Sequence, residues 1–295
     1  MRVVSILPLV RTWFRDAWTV LRRAVQEARD DDVPMVAQAL AFSLFLAIPA
    51  FLLVVLGVFS LVADAATVET LVDRARRVMP GEAATLLRDS LRRSAGSTGS
   101  GIVLTVVGFA LALWTTTSAA ATLMKSVTVA YDAEDSRGFA RQRLVAVLIV
   151  VALVVAAGLV VGLLVLGPHL EQWLGNAVDA PTLTGWLWWT LQWPVLVAGL
   201  LFAFAVVLYL GPDVEQHNWR FITPGAVTAL VVWLGSSSAF AVYSANFGSY
   251  DKTWGTLAAV VVTLVWLWLT SAAILFGAEV NAEARRLAEE RSSAS

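Results

Sequence analysis

Charged residues and histidine are absent from six long stretches of this chain: Val36–Ala63, Gly101–Met124, Leu144–Gly167, Leu183–Gly211, Phe221–Tyr250 and Thr253–Ala278. Each exceeds the roughly 20 apolar residues that a helix needs to cross a hydrocarbon core about 30 Å thick. A peptide group in hydrocarbon must satisfy its hydrogen bonds within its own segment, which selects helices. The pattern therefore predicts an all-α polytopic membrane protein, a six-transmembrane-helix bundle with spans at about 36–63, 101–124, 144–167, 186–210, 222–247 and 257–278. Residues 1–34 form an N-terminal segment, 35–283 the membrane domain and 284–295 a charged tail.

Outside the spans the period changes. Val10, Trp13, Phe14, Ala17, Leu21, Ala24, Val25 and Ala28 recur at helical steps, with Arg11, Arg15, Arg22 and Arg29 on the other side. That is an amphipathic helix over 8–28, either lying in the headgroup layer or packed on the protein's own loops. Arg11 and Arg15 follow the short apolar run Val3–Val10 too closely for a signal peptide. Asp30, Asp31, Asp32 and Pro34 mark the start of the first span, and Pro49 should bend it. The first loop, 64–100, reads as two short amphipathic helices separated by Pro80-Gly81 and followed by the flexible joint Ser94–Gly101. Trp186, Trp188, Trp189 and Trp193 form an interfacial belt at the start of the fourth span.

Composition agrees. Charged residues make up 15% of the 295, against about 25% in soluble domains, and six spans leave no length for a separate catalytic domain. The net charge of −1 carries no bias toward nucleic acid. Cysteine is absent, which removes disulfides and thiolate chemistry. Lys and Arg number 14 on the side of the termini and seven on the other, six of the seven in the first loop. The positive-inside rule then puts both termini of the multi-pass chain in the cytoplasm.

Candidate chemistry is sparse. The two histidines, His169 and His217, fall in loops on opposite sides of the membrane, and no cluster has metal-ligand spacing. No phosphate-binding loop is present, so no cofactor is expected. The spans hold hydroxyls and amides: Thr115, Thr116, Thr117 and Ser118 in the second, Ser236, Ser237, Ser238 and Asn246 in the fifth. These are either glue between helices or the lining of a groove for a headgroup. Trp114 and Tyr131 share their 17-residue separation with Trp233 and Tyr250, the spacing of a three-span inverted repeat or a coincidence of two apolar helices. The run from Asn246 to Gly255 is either a loop re-entering a vestibule or an interfacial hairpin with an aromatic anchor.

Ala245–Gly255 (ANFGSYDKTWG), followed by a span and Gly277-Ala278-Glu279-Val280-Asn281, resembles the C-terminal signature of the BrkB/YihY family of bacterial inner-membrane proteins. Pro212-Asp213, Trp219 with Pro224-Gly225-Ala226, Ala39–Phe42 with Pro49, and Trp114 with Tyr131 extend the resemblance over nearly the whole chain. The resemblance implies a six-span inner-membrane protein tied to serum resistance, envelope lipid export and transport. Some members carry a ribonuclease label, which two histidines on opposite faces do not support. The expected function is transport or lipid translocation of a neutral or amphipathic substrate, with membrane lipids as partners and no nucleic acid. The alternative is a non-transporting envelope scaffold. Pathway candidates are Pro49 as kink, Trp114 and Ser118 as wall, and Asn246, Ser249, Tyr250 and Trp254 as gate. Glu279 and Asn281 are candidates for the cytoplasmic mouth, although a carboxylate at a helix end can also simply reach water.

Overall fold

The computed structural model describes residues 6–62, 98–156, 158, 181–214, 222–246 and 256–293. The expected first-loop helices, the second half of the third span, and Ser249, Tyr250 and Trp254 lie outside them. The described residues form helices α1 (Ile6–Asp30), α2 (Val33–Val62), α3 (Thr98–Val129), α4 (Phe139–Ala156), α5 (Pro181–Leu210), α6 (Pro224–Asn246) and α7 (Thr256–Ser293). Pro181 and Pro224 open α5 and α6, where a missing N–H leaves no bond unmade.

Five of these helices are long and apolar enough to cross a membrane, and α1 with α2 forms a sixth, bent pair. Large apolar side chains stand exposed along them, among them Phe109, Leu148, Val195, Val231 and Val261. In water such a surface would be untenable, and in a bilayer it is the lipid-facing wall. The chain is an all-α polytopic membrane protein.

It divides into two compact units, Met1–Phe42 with Ala120–Ser295, and Ser43–Ala119. In the larger unit α7 is the axis. It lies along α6 and, further on, along α1. The α6–α7 crossing is set by two glycines: a Cβ on Gly277 would stand 2.7 Å from the Gly225 carbonyl oxygen and 2.8 Å from Ala229 Cβ. A Cβ on Gly225 would collide with the Gly277 carbonyl in turn. Small residues let the two backbones approach, the usual basis of helix contact where no hydrophobic effect operates. Asn281 fastens the same crossing. Its Oδ1 accepts from the Gly225 N–H at 2.8 Å, and its Nδ2 donates to Thr223 Oγ1 at 3.2 Å. Further along, Trp233 donates Nε1–H to Thr270 Oγ1 at 3.0 Å and meets the Trp266 ring edge-on.

The other end of α5 is held by Arg137. Its guanidinium, 5% exposed, donates to the carbonyls of Leu210 at 3.1 Å and Gly211 at 2.5 Å and pairs with Asp135 at 3.0 Å. A cation on the last carbonyls of a helix satisfies both their lone pairs and the macrodipole.

α7 has 38 residues, about 57 Å of helix against a hydrocarbon thickness of about 30 Å. Its last third therefore extends beyond the apolar segment that ends at Ala278, and α1 packs on this extension. Val20 and Ala24 bury with Val280, and Leu21, Phe276, Ala284 and Leu287 close around them. Ion pairs run antiparallel beside this core: Asp16 with Arg291, Arg23 with Glu290 at 2.9 Å, Glu27 with Arg286 at 3.0 Å. Of the two expected settings for the N-terminal helix, contact with the protein itself is what the described side chains show. The partner is the C-terminal helix rather than a loop.

In the smaller unit the hydroxyls bond back along α3. Thr115 Oγ1 donates to the Leu111 carbonyl at 2.8 Å, Ser118 Oγ to the Trp114 carbonyl at 2.6 Å, and Thr117 to Leu113. Trp114 is 63% exposed, whereas Trp233, its counterpart in the 17-residue spacing, is packed among Thr270, Trp266 and Phe204. The shared spacing does not produce a shared environment. α2 continues as helix through Pro49, which is exposed. A sharp bend of 70° lies between α1 and α2.

The glycine crossing gives a direct prediction. Gly277→Ala should destabilise the detergent-solubilised protein by about 1–3 kcal/mol, as overpacking does in other tight contacts. Unfolding midpoints measure it, and an unchanged midpoint would mean that α6 and α7 can separate freely.

Candidate functional site at the elbow between α1 and α2

Two helix ends meet the side of α7 just past its apolar segment. Each is closed by an aspartate in the left-handed region, Asp32 (φ 49°) after α1 and Asp132 (φ 50°) after α3. Aspartate tolerates this conformation better than most residues. The turn at α1 is tied by the Asp31 N–H to the Glu27 carbonyl at 2.8 Å, and α2 starts on the Asp32 carbonyl, which accepts from Met35 at 2.8 Å. The turn at α3 is tied by the Asp132 N–H to the Val129 carbonyl at 2.8 Å.

These turns bring Asp31, Tyr131 and Asp132 to Glu279, the first residue of α7 beyond its charge-free segment. Glu279 is 2% exposed, so its carboxyl does not reach water as a helix-end carboxylate ordinarily would. It lines one small pocket with Asp31. Burial first, then the negative charges of Asp31 and Glu27, push Glu279 up to about 8, with Arg286 opposing. Asp31 is raised as well, by burial and then by Asp132. Two carboxyls that line one small pocket disfavour each other's ionisation, so both are held toward the protonated form. The pocket that Asp31, Val36, Ser126, Leu275 and Glu279 line is about 10 Å³, close to what one water molecule needs.

The neighbours of the pair are fixed. Arg286 bonds to Glu283 at 2.5 Å and Glu27 at 3.0 Å and pairs with Asp132. Glu283 is itself only 2% exposed, so the guanidinium compensates a buried carboxylate. Tyr131 is pushed up to about 12, chiefly by burial, so it stays neutral.

Of the pathway candidates from the sequence, Glu279 lies in this cluster, and Asn281 lies beside it as the cap of α6. Pro49, Trp114 and Ser118 belong to the other compact unit. Asn246 ends α6, and Ser249, Tyr250 and Trp254 are outside the described residues. Sequence reasoning missed Asp31, Tyr131, Asp132 and Arg286. A signal existed: Glu279, Glu283 and Arg286 recur at four- and three-residue steps on one face of a helix, immediately after an apolar span.

Residues 24–295 match the family model described as "Virulence factor BrkB". The chain belongs to this family. The matched BrkB region contains every residue of the elbow. Among similar proteins, the "Putative ribonuclease-like protein YfkH" of Bacillus subtilis (strain 168) is 27% identical over 203 residues, 69% of this chain and 73% of that one. "UPF0761 membrane protein Smlt0865" of Stenotrophomonas maltophilia (strain K279a) is 30% identical over 95 residues, 32% of this chain and 22% of that one. A "UPF0761 membrane protein" of Vibrio cholerae (El Tor Inaba N16961) is 36% identical over 80 residues, 27% of either chain. The BrkB chain thus spans most of the Bacillus protein and about a quarter of the other two. No solved structure matches it.

The raised carboxyl pair makes stability depend on pH in a definite direction. Glu279 binds its proton more tightly folded (about 8) than unfolded (4.5). Its favourable contribution is complete below about pH 4.5 and is lost as pH rises through about 8. Asp31, also raised, acts in the same sense. Thermal unfolding should therefore occur at progressively lower temperature from pH 5 to pH 8.5, and Glu279→Gln should flatten that slope. An equal slope in the variant would show that Glu279 does not titrate there.

Proposed function

We propose that this BrkB-family protein is a transporter or lipid translocator of the bacterial inner membrane, moving a neutral or amphipathic substrate, with both termini in the cytoplasm. One observation carries the reading: the Glu279 carboxyl, 2% exposed, lines one small pocket with Asp31 immediately past a helix segment that contains no charge. A buried carboxyl with a raised pKa weakens the fold at neutral pH, and groups held at such a disadvantage concentrate at functional sites. Changing its protonation changes the charge at the junction of α1, α2, α3 and α7, the kind of local event that biases a two-state element. Fixed charge is absent from the apolar segments, which suits a substrate without one. The excess of Lys and Arg on the side of the termini supports the orientation.

A non-transporting scaffold is the second reading, favoured by the charged groove of about 710 Å³ between α1 and the α7 extension, lined by Arg23, Glu27, Arg286 and Glu290 among others. Removing α1 would not separate the two readings, because it would also strip Val280 of its cover. Catalysis of RNA cleavage is no part of the proposal. Among the described residues no group of three or more His, Asp or Glu is placed to hold a metal ion.

The test is reconstitution into vesicles with headgroup-labelled fluorescent lipids under an imposed pH gradient. The protein should accelerate exchange between leaflets in a gradient-dependent way, and Glu279→Gln should keep exchange while losing at least tenfold of that dependence. Exchange no faster than in empty vesicles, for every lipid and amphiphile tried, would sink the transport reading and leave the scaffold. Asn246→Ala and Tyr250→Ala should abolish exchange while leaving the amount of folded protein unchanged.

A further inference from the structure

The packing of α1 on α7 uses one side of α1 and leaves another free. Arg15, Trp18, Arg22, Val25 and Arg29 follow one another at steps of three, four, three and four, a single stripe along the helix. Trp18 is 70% and Val25 40% exposed, and the three arginines are exposed beside them. None of these arginines forms an ion pair among the described residues, although Arg29 also lines the groove beside α7, whereas Arg23, turned toward α7, pairs with Glu290 and lies 4.0 Å from Glu283. We propose that this outward stripe of α1 is a binding surface for the anionic phospholipid headgroups of the membrane in which the protein sits.

Three observations choose this occupant. First, location: only Asp31 and Asp32 separate α1 from α2, so the stripe ends beside the start of a membrane helix. Arg29 is thus four residues from the start of a membrane helix. Second, chemistry: guanidinium groups interleaved with a Trp and a Val match phosphates lying above acyl chains, since Trp favours the interface and Arg can keep its head among phosphates while its stem rests on apolar surface. Third, a protein interface would present an apolar centre depleted in charge, and here three of five positions are cationic. On the other side of α1, Leu21 and Ala24 pack against α7. The proposal is independent of any transport activity.

The chain has no cysteine, so a single Val25→Cys carries a nitroxide label without background. The labelled full-length protein is placed in nanodiscs of phosphatidylcholine alone or with phosphatidylglycerol. Collision with a water-soluble nickel complex and with oxygen then reports depth. Phosphatidylglycerol should reduce nickel accessibility severalfold and raise oxygen accessibility. The combined variant Arg15→Gln, Arg22→Gln, Arg29→Gln should abolish the difference between the two lipids. Should that variant fail to fold, added salt on the unmodified arginines makes the same test, because screening should reopen the label to nickel. Equal nickel accessibility in both lipids overturns the proposal. So does shielding that survives both neutralisation and salt, or spin–spin broadening that places a second copy on the stripe.

Discussion

A peptide group in hydrocarbon has no water to turn to, and this constraint shapes most of what is built here. It makes every crossing segment a helix, and it moves the difficulty to the helix ends, where four donors and four carbonyls lack partners. The protein answers at four of the described ends with a specific device. Asn281 caps α6, Arg137 gathers the last carbonyls of α5, and left-handed aspartates close α1 and α3. Hydroxyls within the spans obey the same rule on a smaller scale, bonding to the carbonyl one turn back.

These end-pieces meet on one helix. α7 brings Gly277 for the close approach of α6, Glu279 for the buried carboxyl pair, Asn281 for the cap and Arg286 for the surrounding acids, all within about three turns. The family motif around Gly277 therefore combines packing and chemistry in one segment. Glycine is needed where backbone meets backbone. The amide is needed where an N–H and a hydroxyl both lack partners. Neither role extends to the glutamate, which contributes no cap and no ion pair among the described residues and is buried at a cost. That asymmetry is why the functional reading rests on Glu279 and not on its neighbours.

The N-terminal helix shows how a pattern of polarity is resolved by competition. Its apolar side could meet lipid or protein, and the sequence alone leaves both open. In the fold, Val20, Leu21 and Ala24 are satisfied by α7, and the ion pairs of Asp16, Arg23 and Glu27 fix the register of the two helices. Arginines left on the far side then face whatever lies outside the protein. The same helix serves two contacts because its circumference is larger than either one requires.

Membrane class and helical fold were legible from sequence because hydropathy over 20 residues is a local, additive property that no tertiary contact reverses. The resemblance to a family was legible because motifs such as GAE-N are contiguous. The elbow was not. Asp31, Asp132 and Glu279 are distant in sequence, and each alone reads as an ordinary helix-end acid. Only the fold sets Asp31 and the exposed Asp132 beside the buried Glu279, and the raised proton affinity of Asp31 and Glu279 comes from burial together with these neighbouring negative charges, a property of the three-dimensional arrangement and of no single residue.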